Sequence, residues 1–199
     1  MRKWLLLSAL ALTACSSQPD VVSNTYLLPA SGQAAIIQAD TQQPMLVVRP
    51  VEMAEHLAGT GLVYQLSETE IVRAQQNLWA ESISEQLTRR INDDLRQKQT
   101  TYWPIELTPA LATAGLPRLQ VKINQFNGHF SGMAHISGEW LVVDGKGDLQ
   151  GVFPFKFQVP LEQEGYNAQV KALSVGVSQL TSQIARRLAT MPVKAPLKL

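Results

Sequence analysis

The sequence predicts an α+β fold, an antiparallel or mixed sheet with two amphipathic helices packed on one face. Two observations carry this expectation. Three long alternating segments follow one another across glycine-bearing turns in the second half of the 199 residues, which is the pattern of an antiparallel meander. Two stretches, one before and one after that meander, repeat apolar residues at helical spacing. The length suits one domain with an ordinary core.

Residues 1–14 read as a signal peptide. Arg2 and Lys3 precede an apolar run from Trp4 to Leu12 that is broken only by Ser8. That run is shorter than the roughly 20 residues needed to cross a bilayer, so the pattern is one of export. It ends in Leu12-Thr13-Ala14-Cys15, and Cys15 is the only cysteine of the chain. A single cysteine excludes an internal disulfide and a cysteine-built zinc site. With Arg2 and Lys3 removed from the 17 basic residues, 15 remain against 16 acidic ones. A body this close to neutral lacks the basic surplus of a nucleic-acid binder.

Residues 15–25 are polar, with Pro19 and Asn24, and read as a tether that reaches at most roughly 35 Å when extended. A single domain is expected over 26–190. Tyr26-Leu27-Leu28 reads as a short edge strand stopped by Pro29, and residues 30–44 as a loop rich in Gln, Ala and Thr. The run MLVVRPV, residues 45–51, is a buried-looking strand. Residues 62–66 and 70–74 form the arms of a hairpin around Ser67-Glu68-Thr69. The alternative, a capping box from Ser67 to Glu70 opening a longer helix, fits less well, because Val63, Ile71 and Val72 lie off the stripe that follows.

That stripe is Trp79, Ile83, Leu87, Ile91 and Leu95. It predicts a helix over 78–97 with Asn77 as N-cap, and it leaves Glu81, Glu85, Arg89, Arg90, Asp93, Asp94 and Arg96 on other faces. Residues 102–107 are expected at a sheet edge because of Pro104, and 108–117 as a loop. The meander strands are 118–130, 133–144 and 149–160, with turns at Ser131-Gly132 and Gly145-Lys146-Gly147-Asp148. The second helix carries Val170, Leu173, Val177, Leu180, Ile184 and Leu188 as one seam. Pro192 ends it, and residues 191–199 read as a loose tail.

Motifs of known chemistry are sparse: no G-x-S-x-G, H-E-x-x-H or phosphate-binding loop occurs. His129 and His135 flank a turn and can face each other across a hairpin, but two imidazoles make a poor metal site. Glu52, Glu55 and His56 are the best candidates for a hydrolase and lack an inferable partner or pocket. Trp79 and Trp140 read as core. The doublets Arg89-Arg90 and Arg186-Arg187 suit the C-terminal halves of helices. Phe153, Phe155 and Phe157 line one face of a strand, by default under a helix, and otherwise as a ligand-facing or subunit-facing stripe. That stripe is the candidate pocket of a competing reading, a stand-alone periplasmic lipid- or glycan-binding lipoprotein.

Leu12-Thr13-Ala14-Cys15 resembles the lipobox of bacterial lipoproteins, which implies cleavage before Cys15 and its lipidation with acyl chains. Ser16, where an aspartate would favour retention in the inner membrane, implies sorting to the outer membrane, with the protein on its periplasmic face. The chain as a whole resembles the ABC-type transport auxiliary lipoproteins. The likeness rests on the lipobox, Tyr26-Leu27-Leu28, Leu46-Val47-Val48-Arg49-Pro50, Leu78-Trp79-Ala80-Glu81, Glu139-Trp140-Leu141 and Tyr166-Asn167-Ala168-Gln169. The family pattern W-A-E-P-L is here Trp79-Ala80-Glu81-Ser82-Ile83. The resemblance implies a non-enzymatic protein without cofactor or metal. It implies docking of an envelope-spanning lipid transport complex at the outer membrane through an MCE-family periplasm-spanning protein. A homo-oligomer would match that partner's symmetry.

Overall fold

The computed structural model describes residues 22–30 and 43–191. The architecture is a nine-stranded mixed sheet with two helices. The expected α+β class is therefore the one observed.

The meander forms as read. Strands β7 (Arg118–His129), β8 (Met133–Val143) and β9 (Leu149–Pro160) pair antiparallel along nearly their full lengths. Gly132 has φ 76° and Gly147 φ 95° in the two connecting turns, a conformation that costs a side chain dearly and glycine little. The inward face of β7 and β8 carries Leu119, Val121, Ile123, Ile136 and Trp140, all at most 1% exposed.

The outer edge of β7 is filled by three short strands in succession. β2 (Met45–Val48) pairs parallel at Arg118 and Leu119, β3 (Glu52–Met53) at Lys122 and Ile123, and β4 (Gly61–Gln65) at Gly128 and His129. The strand expected over 45–51 is thus split at Arg49-Pro50, where proline has no N–H for the ladder. β6 (Trp103–Glu106) flanks β2 as an edge strand, as Pro104 implied. On the other side, β5 (Ile71–Trp79) pairs antiparallel with β4, and β1 (Asn24–Tyr26) lies parallel on β5. The expected edge strand at 26–28 therefore sits two residues earlier.

The first helix is a correction. α1 spans Ile83–Lys98, with Ser82 rather than Asn77 at its N-cap. Trp79 ends strand β5: its N–H donates to the Thr60 carbonyl at 2.7 Å, and the Ala80 N–H donates to the Tyr26 carbonyl at 2.9 Å. Asn77 accepts a hydrogen bond from the Tyr26 hydroxyl instead of capping. Tryptophan four residues before Ile83 fits a helical stripe and the end of a strand equally well, and pairing with distant chain decides between them.

α2 spans Tyr166–Leu188 and buries its predicted seam, Val170 to Leu188, against β8, β9 and α1. At Gly176 the helix approaches so closely that a Cβ would meet Ile136 at 2.3 Å. α1 carries a second buried side that the stripe did not reveal. Arg90 and Asp94, expected among solvated residues, are 6% and 1% exposed and form an ion pair at 2.7 Å. Asp94 also accepts from Thr181 of α2 at 2.6 Å, and Lys98 reaches Asp94, Ser178 and Thr181. Packing of α2 against this side is what takes these charges out of water.

Candidate functional site

The residues expected to form a lipobox, Leu12, Thr13, Ala14 and Cys15, and Ser16 after them, lie outside the described residues, as do residues 192–199 of the tail and most of the 30–44 loop. The first described segment, residues 22–30, is firmly held on the domain. Ser23 Oγ lies 3.4 Å from the Gln76 carbonyl, and β1 adds to the sheet edge. Beyond it, the Leu28 N–H donates to Gln86 Oε1 at 2.7 Å. The Pro29 carbonyl accepts from the Arg90 guanidinium and from Ser174 Oγ. The N-terminal strap thereby ties into the buried polar network between the helices. β1 pairs with the last three residues of β5, Asn77 to Trp79, at the end of that strand away from the β4–β5 turn.

The end of the sheet at the β4–β5 turn carries a cleft of about 550 Å³. It lies where the β7–β8 turn, the end of β4 and the β9–α2 loop converge. Tyr64, Phe130, Leu161 and Tyr166 supply apolar walls, and Gln163 and Gln169 supply amides. The floor is set by local geometry. Gly128 lies beside Tyr64 in register, and a Cβ there would meet the Tyr64 ring at 2.5 Å and Gln169 Oε1 at 2.7 Å. Tyr64 is aimed by its hydroxyl, which donates to the His129 carbonyl at 2.9 Å. Gln169 is fixed by donating to the Val63 carbonyl at 2.9 Å.

Beside the cleft, His129 and His135 do come together. They sit diagonally in the ladder, since His129 opposes Met133 and Asn127 opposes His135. Their rings stack with centroids 3.9 Å apart, and Phe130 stacks on His129 at 4.2 Å. Burial pushes the His135 imidazole below its ordinary value, and the charges of His129 and Lys156 add to this. Gln158 and Ser131 take up the outer ring nitrogens. Among the described residues no three His, Cys, Asp or Glu side chains group as a metal site.

The other predicted candidates scatter. Glu52 on β3 accepts from Gln120 at 2.6 Å, whereas Glu55 and His56 sit exposed in a 3-10 turn, Glu55–Leu57. His56 contributes only its carbonyl, to Arg73 at 2.8 Å. The phenylalanine stripe of β9 is closed over. Phe155 is 6% exposed, Phe153 stacks on Trp140 at 4.3 Å, and Arg187 of α2 lies over the Phe153 ring at 5.0 Å. The stripe is therefore core, and not the wall of a pocket. The cleft residues were missed because they come from three separated segments. One signal was legible: a phenylalanine at position 130, directly before a Ser-Gly turn, has no core to enter.

Among the described residues no helix is long and apolar enough to cross a membrane. Comparison with known proteins places the fold and its relatives. A solved structure of an uncharacterized protein superposes with a TM-score of 0.71 at 28% identity, covering 84% of this chain and 99% of the other. Protein XCC0632 from Xanthomonas campestris shares the fold with a TM-score of 0.66 at 12% identity, over 84% of this chain and 96% of that one. The intermembrane transport lipoprotein PqiC of Escherichia coli (strain K12) is 34% identical over 196 residues, covering 96% of this chain and all of the relative. The family model of the ABC-type transport auxiliary lipoprotein component matches residues 26–185. On that match and that identity, this chain belongs to the ABC-type transport auxiliary lipoprotein family.

Proposed function

We propose that the chain is an outer-membrane lipoprotein that docks an envelope-spanning MCE/ABC-type lipid transport complex at the outer membrane, and so supports intermembrane lipid transport and membrane integrity. Residues 1–14 are removed as a signal peptide, Cys15 is lipidated, Ser16 directs sorting, and residues 15–25 tether a single domain of 26–190 to the periplasmic face. Several copies gather around the MCE-family partner. The protein works by binding and not by catalysis.

The carrying observation is the match to a relative named an intermembrane transport lipoprotein. It takes in 96% of this chain and all of the relative. The physics of the anchor agrees: each buried CH₂ contributes about 0.8 kcal/mol, so one acyl chain is marginal and several hold firmly. The test has two arms. Cys15→Ala is expected to lose its fatty-acid label and its place in the membrane fraction. Retention of that variant in the outer membrane would overturn the anchor. Crosslinking in intact cells is expected to recover an MCE-family protein, and recovery only of unrelated proteins would overturn the docking.

A further inference from the structure

The end of the sheet that holds the cleft also exposes several large apolar side chains. Gln65 of β4 opposes His129 of β7 in parallel register, so Leu66 lies beside Phe130. Leu66 is 47% and Phe130 47% exposed, and on the far side of β4 stand Ile71 at 48% and Val72 at 39%. Val72 opposes Tyr64, as does Gly128, so by strand alternation Leu66, Phe130 and Val72 share the face of Tyr64 and form a band beside the cleft, whereas Ile71, opposite Gln65, points to the other face. Single exposed apolar residues need no explanation, but a contiguous band beside a cleft marks a contact surface.

Four carboxylates rim this band. Glu68 and Glu70 stand on the β4–β5 turn, and Glu162 and Glu164 on the β9–α2 loop. All four are exposed, and none of them takes part in a salt bridge among the described residues.

From this arrangement we infer that the cleft and its apolar band receive a basic, aliphatic segment of the partner protein, its apolar side chains entering the cleft and its lysines or arginines meeting the glutamate rim. This rests on the docking function proposed above and gives it a surface. The rival occupant is the bilayer, to which the proposed anchor at Cys15 would hold the domain. Charge decides between them. Faces that lie on a membrane carry Lys and Arg on their polar side and are drawn to anionic lipid. A rim of four carboxylates is repelled by such lipid and attracts a cationic segment, for which the Tyr and Phe rings add cation–π attraction.

The experiment places a photoactivatable phenylalanine analogue in the full-length, lipidated chain in cells. It is placed at Phe130 or Leu66, and, as a distant control, at Lys146 in the β8–β9 turn. Expected is a crosslink from Phe130 and Leu66, and not from Lys146, to a Lys- or Arg-bearing apolar segment of an MCE-family protein, mapped by mass spectrometry. Changing Glu162 and Glu164 together to Lys is expected to lower that yield about tenfold. Both are exposed loop residues, and an unchanged thermal midpoint shows that the variant folds. Crosslinks to an MCE-family protein from Lys146 alone overturn this surface and leave the docking function standing. No such crosslink from any position overturns both. Adducts of Phe130 with lipid or with a second copy of this chain, or a yield unmoved by the charge reversal, overturn the basic-segment assignment.

Discussion

The helix–helix seam and the open end of the sheet spend polar groups in opposite ways. In the seam the charges are buried or, for Lys98, half-buried, and each is answered: Arg90, Asp94, Lys98, Thr181 and Ser174 bond to one another across α1 and α2, and Arg90 and Ser174 both reach Pro29. At the open end, apolar side chains face solvent and four glutamates stand around them without a salt bridge among the described residues. The first arrangement gives one fixed geometry and little to offer a partner. The second adds little to the fold and leaves its binding capacity unspent. On the docking function proposed above, a scaffold that must hold its shape while presenting a contact surface gains from keeping the two apart.

The largest effect that could break this contrast lies in the seam. Asp94→Ala leaves the Arg90 guanidinium buried without its carboxylate, and removal of one member of a buried ion pair costs about 3–5 kcal/mol. Asp93→Ala, one residue earlier, removes an exposed carboxylate 3.7 Å from Arg96 and is expected to cost at most about 0.5 kcal/mol. Urea denaturation of the two variants measures the difference. Equal losses would mean that the seam is no more over-determined than the surface.

Next in size is Gly176→Val. The closest approach of α2 to β8 leaves no room for a Cβ beside Ile136, and overpacking of this kind costs roughly 1–3 kcal/mol. A thermal midpoint unchanged from the parent would show that α2 is free to move off the sheet, and that the seam is looser than its contacts suggest.

These two regions also differ in how legible they were. The meander could be read residue by residue, because alternation with period two and glycine turns are local signals. The seam of α2 was equally plain. The i,i+4 spacing of Arg90 and Asp94 was visible, but not its burial, because that depends on α2 arriving from 80 residues further on. The N-terminal boundary of α1 failed for a related reason. Trp79 continues the helical spacing of Ile83, Leu87 and Ile91, and its pairing beside Tyr26 of β1 and its bond to the Thr60 carbonyl keep it in a strand. The cleft was illegible because Tyr64, Phe130 and Tyr166 meet only through the register of β4 on β7 and the path from β9 to α2.

At the open end the expected cost of change is smaller and the expected functional loss larger. Phe130→Ser removes a half-exposed ring whose contact recorded in the fold is its stack on His129. Stability should fall by no more than about 1 kcal/mol, while the crosslink to the partner and the transport phenotype in cells should be lost. A large drop in stability with binding intact would invert the contrast and make this end structural.

The smallest effect sharpens the boundary between the two regions, because His135 lies beside the cleft and is itself 7% exposed. Burial, the stacked His129 and Lys156 all hold its imidazole below the usual histidine range. The unfolded chain therefore binds this proton more readily than the folded one, and stability rises with pH wherever that is so. The contribution of the neutral ring is present above the ordinary histidine value and is lost as pH falls through that value toward the depressed one. Denaturation followed between pH 8 and pH 5 should show the parent losing more stability on acidification than His135→Gln, which has no such proton to gain. His129→Gln should fall between them, since it removes one of the two charges that oppose protonation. If His135→Gln instead loses more than the parent, the imidazole gains its proton favourably in the fold, and the His129–His135 stack belongs with the charged rim of the open end.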